Sequence, residues 1–186
     1  MTDRLTFSAS LPVRAPAAEV FAVVSDLRRK APLNPNIRVI RVELEGGEPV
    51  REGSLFYHRF QKGKRILEYR SRCIRCEPPR LFETCGLADP LFEVRVTVEP
   101  LTEGCRLTQE ETVEVTPEGL DALDPVPVSG QTFGDAMKLL MLFPSARPLG
   151  AELRAHQRER VARRLAGELE SWLEAIRQHL EAGSGR

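Results

Sequence analysis

The feature that most constrains this chain is a single long apolar stripe near its end. From about Ala155 to Ala182, Val161, Leu165, Leu169, Trp172, Leu173, Ile176 and Leu180 recur at three-four spacing, the mark of one amphipathic helix. Arg160, Arg163, Arg164, Glu170, Glu174 and Arg177 occupy its other faces. Gly183 closes the helix, and a loose tail runs over 183–186. A stripe of that length needs a broad apolar surface to cover it, and the segments ahead of it read mostly as strands.

Residues 4–13 alternate, with Leu5, Phe7, Ala9, Leu11 and Val13 on one side and Thr6, Ser8, Ser10 and Pro12 on the other. A helix is expected over Pro16–Leu27, with Pro16 at the first helical position, Glu19 in the first turn and Val20, Phe21, Val24 and Leu27 as its stripe. Pro32-Leu33-Asn34-Pro35 breaks that helix. Strands follow at Ile37–Leu44, Ser54–Lys62, Arg65–Glu77, Leu81–Leu87, Leu91–Val98 and Cys105–Val115, joined by short turns, which implies an antiparallel meander of about seven strands. Residues 116–155 are rich in proline and glycine and read as an insert. Within them Phe133, Met137, Leu140 and Met141 have helical spacing, so Met137–Phe143 reads as core, as a lid, or as a contact with a membrane or a second subunit in a homodimer.

The Gly63-Lys64 turn sets a register. A two-residue loop pairs Phe60 with Leu67, His58 with Tyr69 and Phe56 with Ser71 on one mainly apolar face, and leaves Arg59–Glu68 and Tyr57–Arg70 for solvent. A three-residue loop would mix the faces. Phe56, His58, Phe60, Leu67, Tyr69 and Cys73 are therefore expected inside. On the last strand, Gln109 and Glu111 share parity with Leu107, Val113 and Val115, so both should point toward the terminal helix and need a mate, a water or a ligand.

Several function classes are disfavoured. Lys+Arg and Asp+Glu both count 27, so no surplus of cations offers itself to nucleic acid or to an anionic membrane. No run of about eighteen apolar residues exists, so stable membrane insertion is not expected. Residues 1–4 lead straight into a strand pattern without an apolar stretch, which points to the cytoplasm and to cysteines (Cys73, Cys76, Cys85, Cys105) that are reduced and buried. Cys73-x-x-Cys76 lies in a strand, where residues three apart face opposite ways, so no metal is expected there unless a bulge intervenes. There is no GxSxG elbow and no glycine-rich phosphate loop, and no cofactor is expected. The basic stretch at Arg147, Arg154, Arg158, Arg160, Arg163 and Arg164 reads as a solvated helix face.

The order of strand, helix pair, meander and long terminal helix resembles the START/Bet v 1-like helix-grip superfamily. Local motifs resemble its polyketide cyclase/dehydrase-like branch: Leu11-Pro12-Val13-Arg14-Ala15-Pro16 with Val20-Phe21, Arg51-Glu52-Gly53-Ser54, Cys76-Glu77-Pro78-Pro79-Arg80-Leu81-Phe82, and Glu103-Gly104-Cys105-Arg106-Leu107-Thr108. The resemblance implies an α+β helix-grip fold in one domain over 1–186, with a cavity for an apolar small molecule. The lining expected from parity is Phe56, His58, Phe60, Tyr69, Val94, Val96, Gln109 and Glu111, completed by Trp172 from the helix stripe. Three functions fit: binding or transport of a lipid-like or aromatic, polyketide-like molecule; a polyketide aromatase/cyclase-like enzyme in which His58 or Glu111 moves protons; or a protein-interaction module.

Overall fold

The computed structural model describes residues 3–88, 91–116, 120 and 147–183. Its strands are β1 (Asp3–Val13), β2 (Arg38–Glu45), β3 (Leu55–Lys62), β4 (Arg65–Glu77), β5 (Leu81–Gly86), β6 (Phe92–Pro100) and β7 (Cys105–Val115). They form one antiparallel sheet in the order β1-β7-β6-β5-β4-β3-β2, so only the first strand leaves the meander, returning beside the last. Helices α1 (Ala17–Val24) and α2 (Leu27–Lys30), then a 3-10 turn at Ala31–Leu33, follow β1, and the long helix α3 (Arg147–Gly183) ends the chain. This is the helix-grip arrangement. The stripe residues Leu173, Ile176 and Leu180 of α3 are buried against Val13, Phe56, Phe82, Val96, Val98 and Leu107 of the sheet. A second cluster joins Leu5, Val115, Leu120 and Val161.

The hairpin register is the two-residue one: Lys62 faces Arg65, Phe60 faces Leu67, His58 faces Tyr69 and Phe56 faces Ser71. Gly63 takes φ 60, the left-handed backbone such a turn requires. The turn before β7 is equally specific. Gly104 has φ 86, and a Cβ there would stand 2.0 Å from the Val13 carbonyl oxygen. Only glycine lets β1 and the β6–β7 turn lie so close.

Four expectations are corrected. The single helix over Pro16–Leu27 is two helices. Pro16 is the cap residue before α1 rather than its first residue, and the break falls at Ser25-Asp26. Ser25 folds its hydroxyl back onto the Phe21 carbonyl, and Asp26 turns extended and caps α2 by accepting from the Arg28 amide. The terminal helix begins at Arg147, eight residues into what reads as insert, because a proline in a first turn gives up no intrahelical bond. Leu67 sits on the inward face at the rim, yet is 44% exposed.

The fourth correction concerns Cys73 and Cys76. A bulge between Cys73 and Arg75 shifts the register, so Cys73 faces Thr84 and Cys76 faces Phe82. Thr84 and Phe82 are both buried, so both cysteines turn to the core side, Cys73 buried and Cys76 half-buried. Cys85 is also half-buried rather than buried, and Cys105 is buried; all four are free thiols. Burial pushes the Cys73 thiol up to about 12, which leaves it inert as a nucleophile. Among the described residues no group of three or more His, Cys, Asp or Glu is placed to hold a metal. No helix among them is long and apolar enough to cross a membrane. The Met137–Phe143 segment, and with it the lid, core and second-subunit alternatives, lies outside the described residues.

Candidate functional site

Between the sheet, α2 and α3 lies a cavity of about 500 Å³. Phe7, Phe60, Phe92, Val94, Leu169 and Trp172 supply apolar wall. Alternation along each strand delivers these side chains, since every second residue of β1, β3, β6 and β7 faces α3. Lys30, His58, Tyr69, Gln109 and Glu111 bring polar groups into that wall.

Lys30 joins the site although the sequence pattern does not single it out. It is 1% exposed, and its Nζ donates to Gln109 Oε1 at 2.5 Å. Gln109 in turn donates from Nε2 to Glu111 Oε1 at 2.5 Å. The Lys30 ammonium also lies 4.7 Å from the centre of the Trp172 ring, whose Nε1 donates to the Lys30 carbonyl at 3.2 Å. Helix α2 thus has its last residue tied to β7 by side chain and to α3 by backbone. Asp26 holds the other end of α2, accepting from the Arg28 amide and guanidinium. Burial pulls the Lys30 amine down to about 8, against partial support from the Glu111 charge. Burial pushes the Glu111 carboxyl up, with Lys30 and the Gln109 hydrogen bond opposing. The clue to Lys30 was its spacing: it stands three residues beyond Leu27, on the continuation of the Val20–Val24–Leu27 stripe, and two inward polar groups on β7 needed a mate.

His58 is 3% exposed. Its Nε2 shares a 2.8 Å hydrogen bond with Ser71 Oγ, while Nδ1 is buried without a hydrogen-bond partner among the described residues. Its ring stacks on Tyr69 at 4.6 Å, and burial holds its pKa near 4, so the imidazole is neutral at pH 7. Burial raises the Tyr69 phenol, and the Glu111 charge adds to that. At one edge of the cavity Lys62 pairs with Glu168 of α3 at 2.5 Å, and Asn36 donates to the Glu168 carbonyl and the Ser171 hydroxyl.

Of the residues expected to line the site, His58, Phe60, Tyr69 and Val94 do so from the sheet's middle strands. Gln109, Glu111 and Trp172 do so from β7 and α3. Phe56 and Val96 do not reach the cavity. They share its face but lie 0% and 1% exposed in the packed core with Leu173 and Ile176, where α3 closes on the sheet.

The family described as polyketide cyclase/dehydrase and lipid transport matches residues 4–141. The chain belongs to that family. No curated protein matches it. Among solved structures, the di-domain ARO/CYC StfQ of the steffimycin biosynthetic pathway is similar at TM-score 0.67 and 17% identity, over 98% of this chain and 52% of that one. The present chain therefore spans about half the length of that di-domain protein. A polyketide-cyclase-like protein of Corynebacterium glutamicum is similar at TM-score 0.55 and 25% identity, over 100% and 96% of the two chains. Truncated norcoclaurine synthase of Thalictrum flavum aligns at TM-score 0.53 and 21% identity, over 76% and 95%. StfQ and norcoclaurine synthase, at these identities, share the fold alone with this chain.

Proposed function

We propose that this chain binds and transports an apolar small molecule, lipid-like or aromatic and polyketide-like, in the cavity beneath α3. The observation that carries this is a cavity of about 500 Å³ whose largely apolar wall is interrupted by buried polar groups with hydrogen-bonding capacity to spare. Apolar burial supplies affinity in such a site, and a few fixed donors supply orientation. His58 Nδ1 has no partner among the described residues, and the Lys30 Nζ has three hydrogens for one oxygen acceptor and one ring face. A ligand with an apolar body and one or two oxygens satisfies both demands. Membership of a family described by cyclase and lipid-transport activity supports the same reading. Native mass spectrometry of the gently purified protein, followed by solvent extraction, tests it. A discrete apolar added mass is expected. If neither purified material nor a screen of lipid and polyketide-like compounds yields a bound species, the carrier reading fails.

A second reading, a polyketide aromatase/cyclase-like enzyme, is favoured by one observation. Glu111 and Lys30, bridged by Gln109, have their proton affinities drawn toward neutrality from opposite sides by burial. Such a pair suits proton transfer at a ketone's neighbouring carbon. Glu111→Gln should then abolish turnover of a poly-β-ketone substrate in a folded protein, and unchanged turnover removes Glu111 from that role.

A further inference from the structure

We propose that Lys30 is a carbonyl-capturing amine, whose Nζ condenses with an aldehyde or ketone of the bound ligand to form an imine, with Glu111 moving the protons. This deepens the reading above and rests on the cavity holding a ligand. Lysine is almost never fully buried unless paired, and among the described residues Lys30 has no direct ion-pair contact: its oxygen acceptor is the neutral amide of Gln109. A structural ammonium in that position would be under-satisfied, with one oxygen and one ring face for three hydrogens. A neutral amine is not. One of its two N–H groups goes to Gln109, the other to the face of Trp172, and the lone pair meets no donor among the described residues.

The surroundings raise the share of that form, although the ammonium still predominates about tenfold at pH 7. Burial lowers Lys30 to about 8 from an ordinary 10.5, so the neutral amine at pH 7 is enriched about 300-fold. Among the described residues, the charged groups lining this cavity beside Lys30 are Glu111 on β7, Lys62 on β3, Glu68 on β4 and Glu168 on α3; His58 on β3 is neutral. The step balances without any oxidant or reductant. The Lys30 lone pair forms the C–N bond while the carbonyl π electrons pass to oxygen, which takes a proton from the Glu111 carboxylic acid. The amine's proton returns to the Glu111 carboxylate. The re-formed Glu111 carboxylic acid then protonates the hydroxyl, which leaves as water as the nitrogen lone pair forms C=N, giving the protonated imine beside the Glu111 carboxylate. Apolar walls slow the reverse hydrolysis by limiting water.

The test treats the full chain with 2-naphthaldehyde and sodium cyanoborohydride across pH 6–9, and maps reduced adducts over Lys30, Lys62, Lys64 and Lys138 by mass spectrometry. Binding of 2-naphthol, which has the same ring system and no carbonyl, is followed in parallel by fluorescence. The expected result is labelling of Lys30 at least about tenfold faster than any other lysine. That labelling rises with pH toward about 8, is suppressed by 2-naphthol, and is lost in Lys30→Met, whose folding is checked by its urea midpoint. If 2-naphthol binds and Lys30 is not labelled preferentially, imine capture is overturned and the cavity reading stands. If neither compound enters the wild-type protein, both are overturned. Should Lys30→Met fail to fold, suppression by 2-naphthol on the wild type decides.

Discussion

Lys30 Nζ donates to Gln109 Oε1 at 2.5 Å across 79 positions of sequence, so a helix end and the last strand are joined inside the core by one bond. Gln109→Leu removes the acceptor and strands a buried ammonium. Its expected cost is about 3 kcal/mol, the scale for leaving a charged buried donor unsatisfied. In a Lys30→Met background the same change should cost about 1–2 kcal/mol, since no cation remains to be stranded and only the Glu111 carboxyl loses its Gln109 donor. Urea unfolding of the four proteins at pH 7 measures the difference. Equal costs in both backgrounds would show that the two side chains are not coupled.

His58 predicts a pH dependence. Its folded pKa is near 4 against an ordinary 6.5, so between those values the unfolded chain binds more protons than the folded one. Stability therefore rises with pH through that window and is lost as pH falls from 6.5 toward 4. The full difference corresponds to about 3 kcal/mol. Glu111, whose carboxyl is raised, acts in the opposite sense above 4.5, so the His58 contribution is read as a difference. On going from pH 7 to 4.5, the wild type should lose about 2 kcal/mol more than His58→Phe. Parallel losses would mean that His58 titrates normally.

His58 and Lys30 also mark the two sides of what the sequence makes legible. His58 falls inward because a two-residue Gly63-Lys64 turn separates Phe60–Leu67 from Arg59–Glu68 in one register. Lys30 escaped because a lysine at a helix end is ordinarily solvent-facing, and its mate lies in a distant strand. The bulge between Cys73 and Arg75 has no marker in the local residues, so parity alone mis-set Cys76. Parity also cannot tell depth: Phe56 and Val96 face the same way as His58 and Val94, but meet Leu173 and Ile176 instead of open space. That distinction depends on where α3 approaches the sheet, which is a property of the whole packing.

Gly104→Ala should be strongly destabilising although the site is a surface turn. Its φ of 86 costs an alanine about 1–2 kcal/mol before any contact is counted. The new Cβ would then stand 2.0 Å from the Val13 carbonyl oxygen, which is backbone and paired within the β1–β7 ladder. The turn must shift, so a total of about 3 kcal/mol is expected. Gly63→Ala also meets a left-handed φ, 60, with no neighbour within 4 Å, and should lose only the backbone part. Comparing the two melting temperatures separates strain from clash, and equal shifts would show that β1 and the turn can move apart freely.

Val94 tests where the ligand sits. It lines the cavity from β6, held between Thr84 of β5 and Glu111 of β7 by the ladder. Being half-buried and facing open volume, it can accept a larger side chain without displacing packed neighbours. Val94→Phe should therefore leave the urea midpoint within the range of a tolerated core change, about 1 kcal/mol. The added ring takes volume from the cavity and narrows the space beside Thr84 and Glu111. Binding of 2-naphthol, or of whatever compound extraction yields, should weaken about tenfold or more, equivalent to about 1.4 kcal/mol. The control is Val96→Leu, one inward position further along the strand and in solid core: it should disturb stability and leave affinity alone. Unaltered affinity in Val94→Phe would place the ligand outside this cavity, and the orienting roles assigned to His58 and Lys30 would go with it.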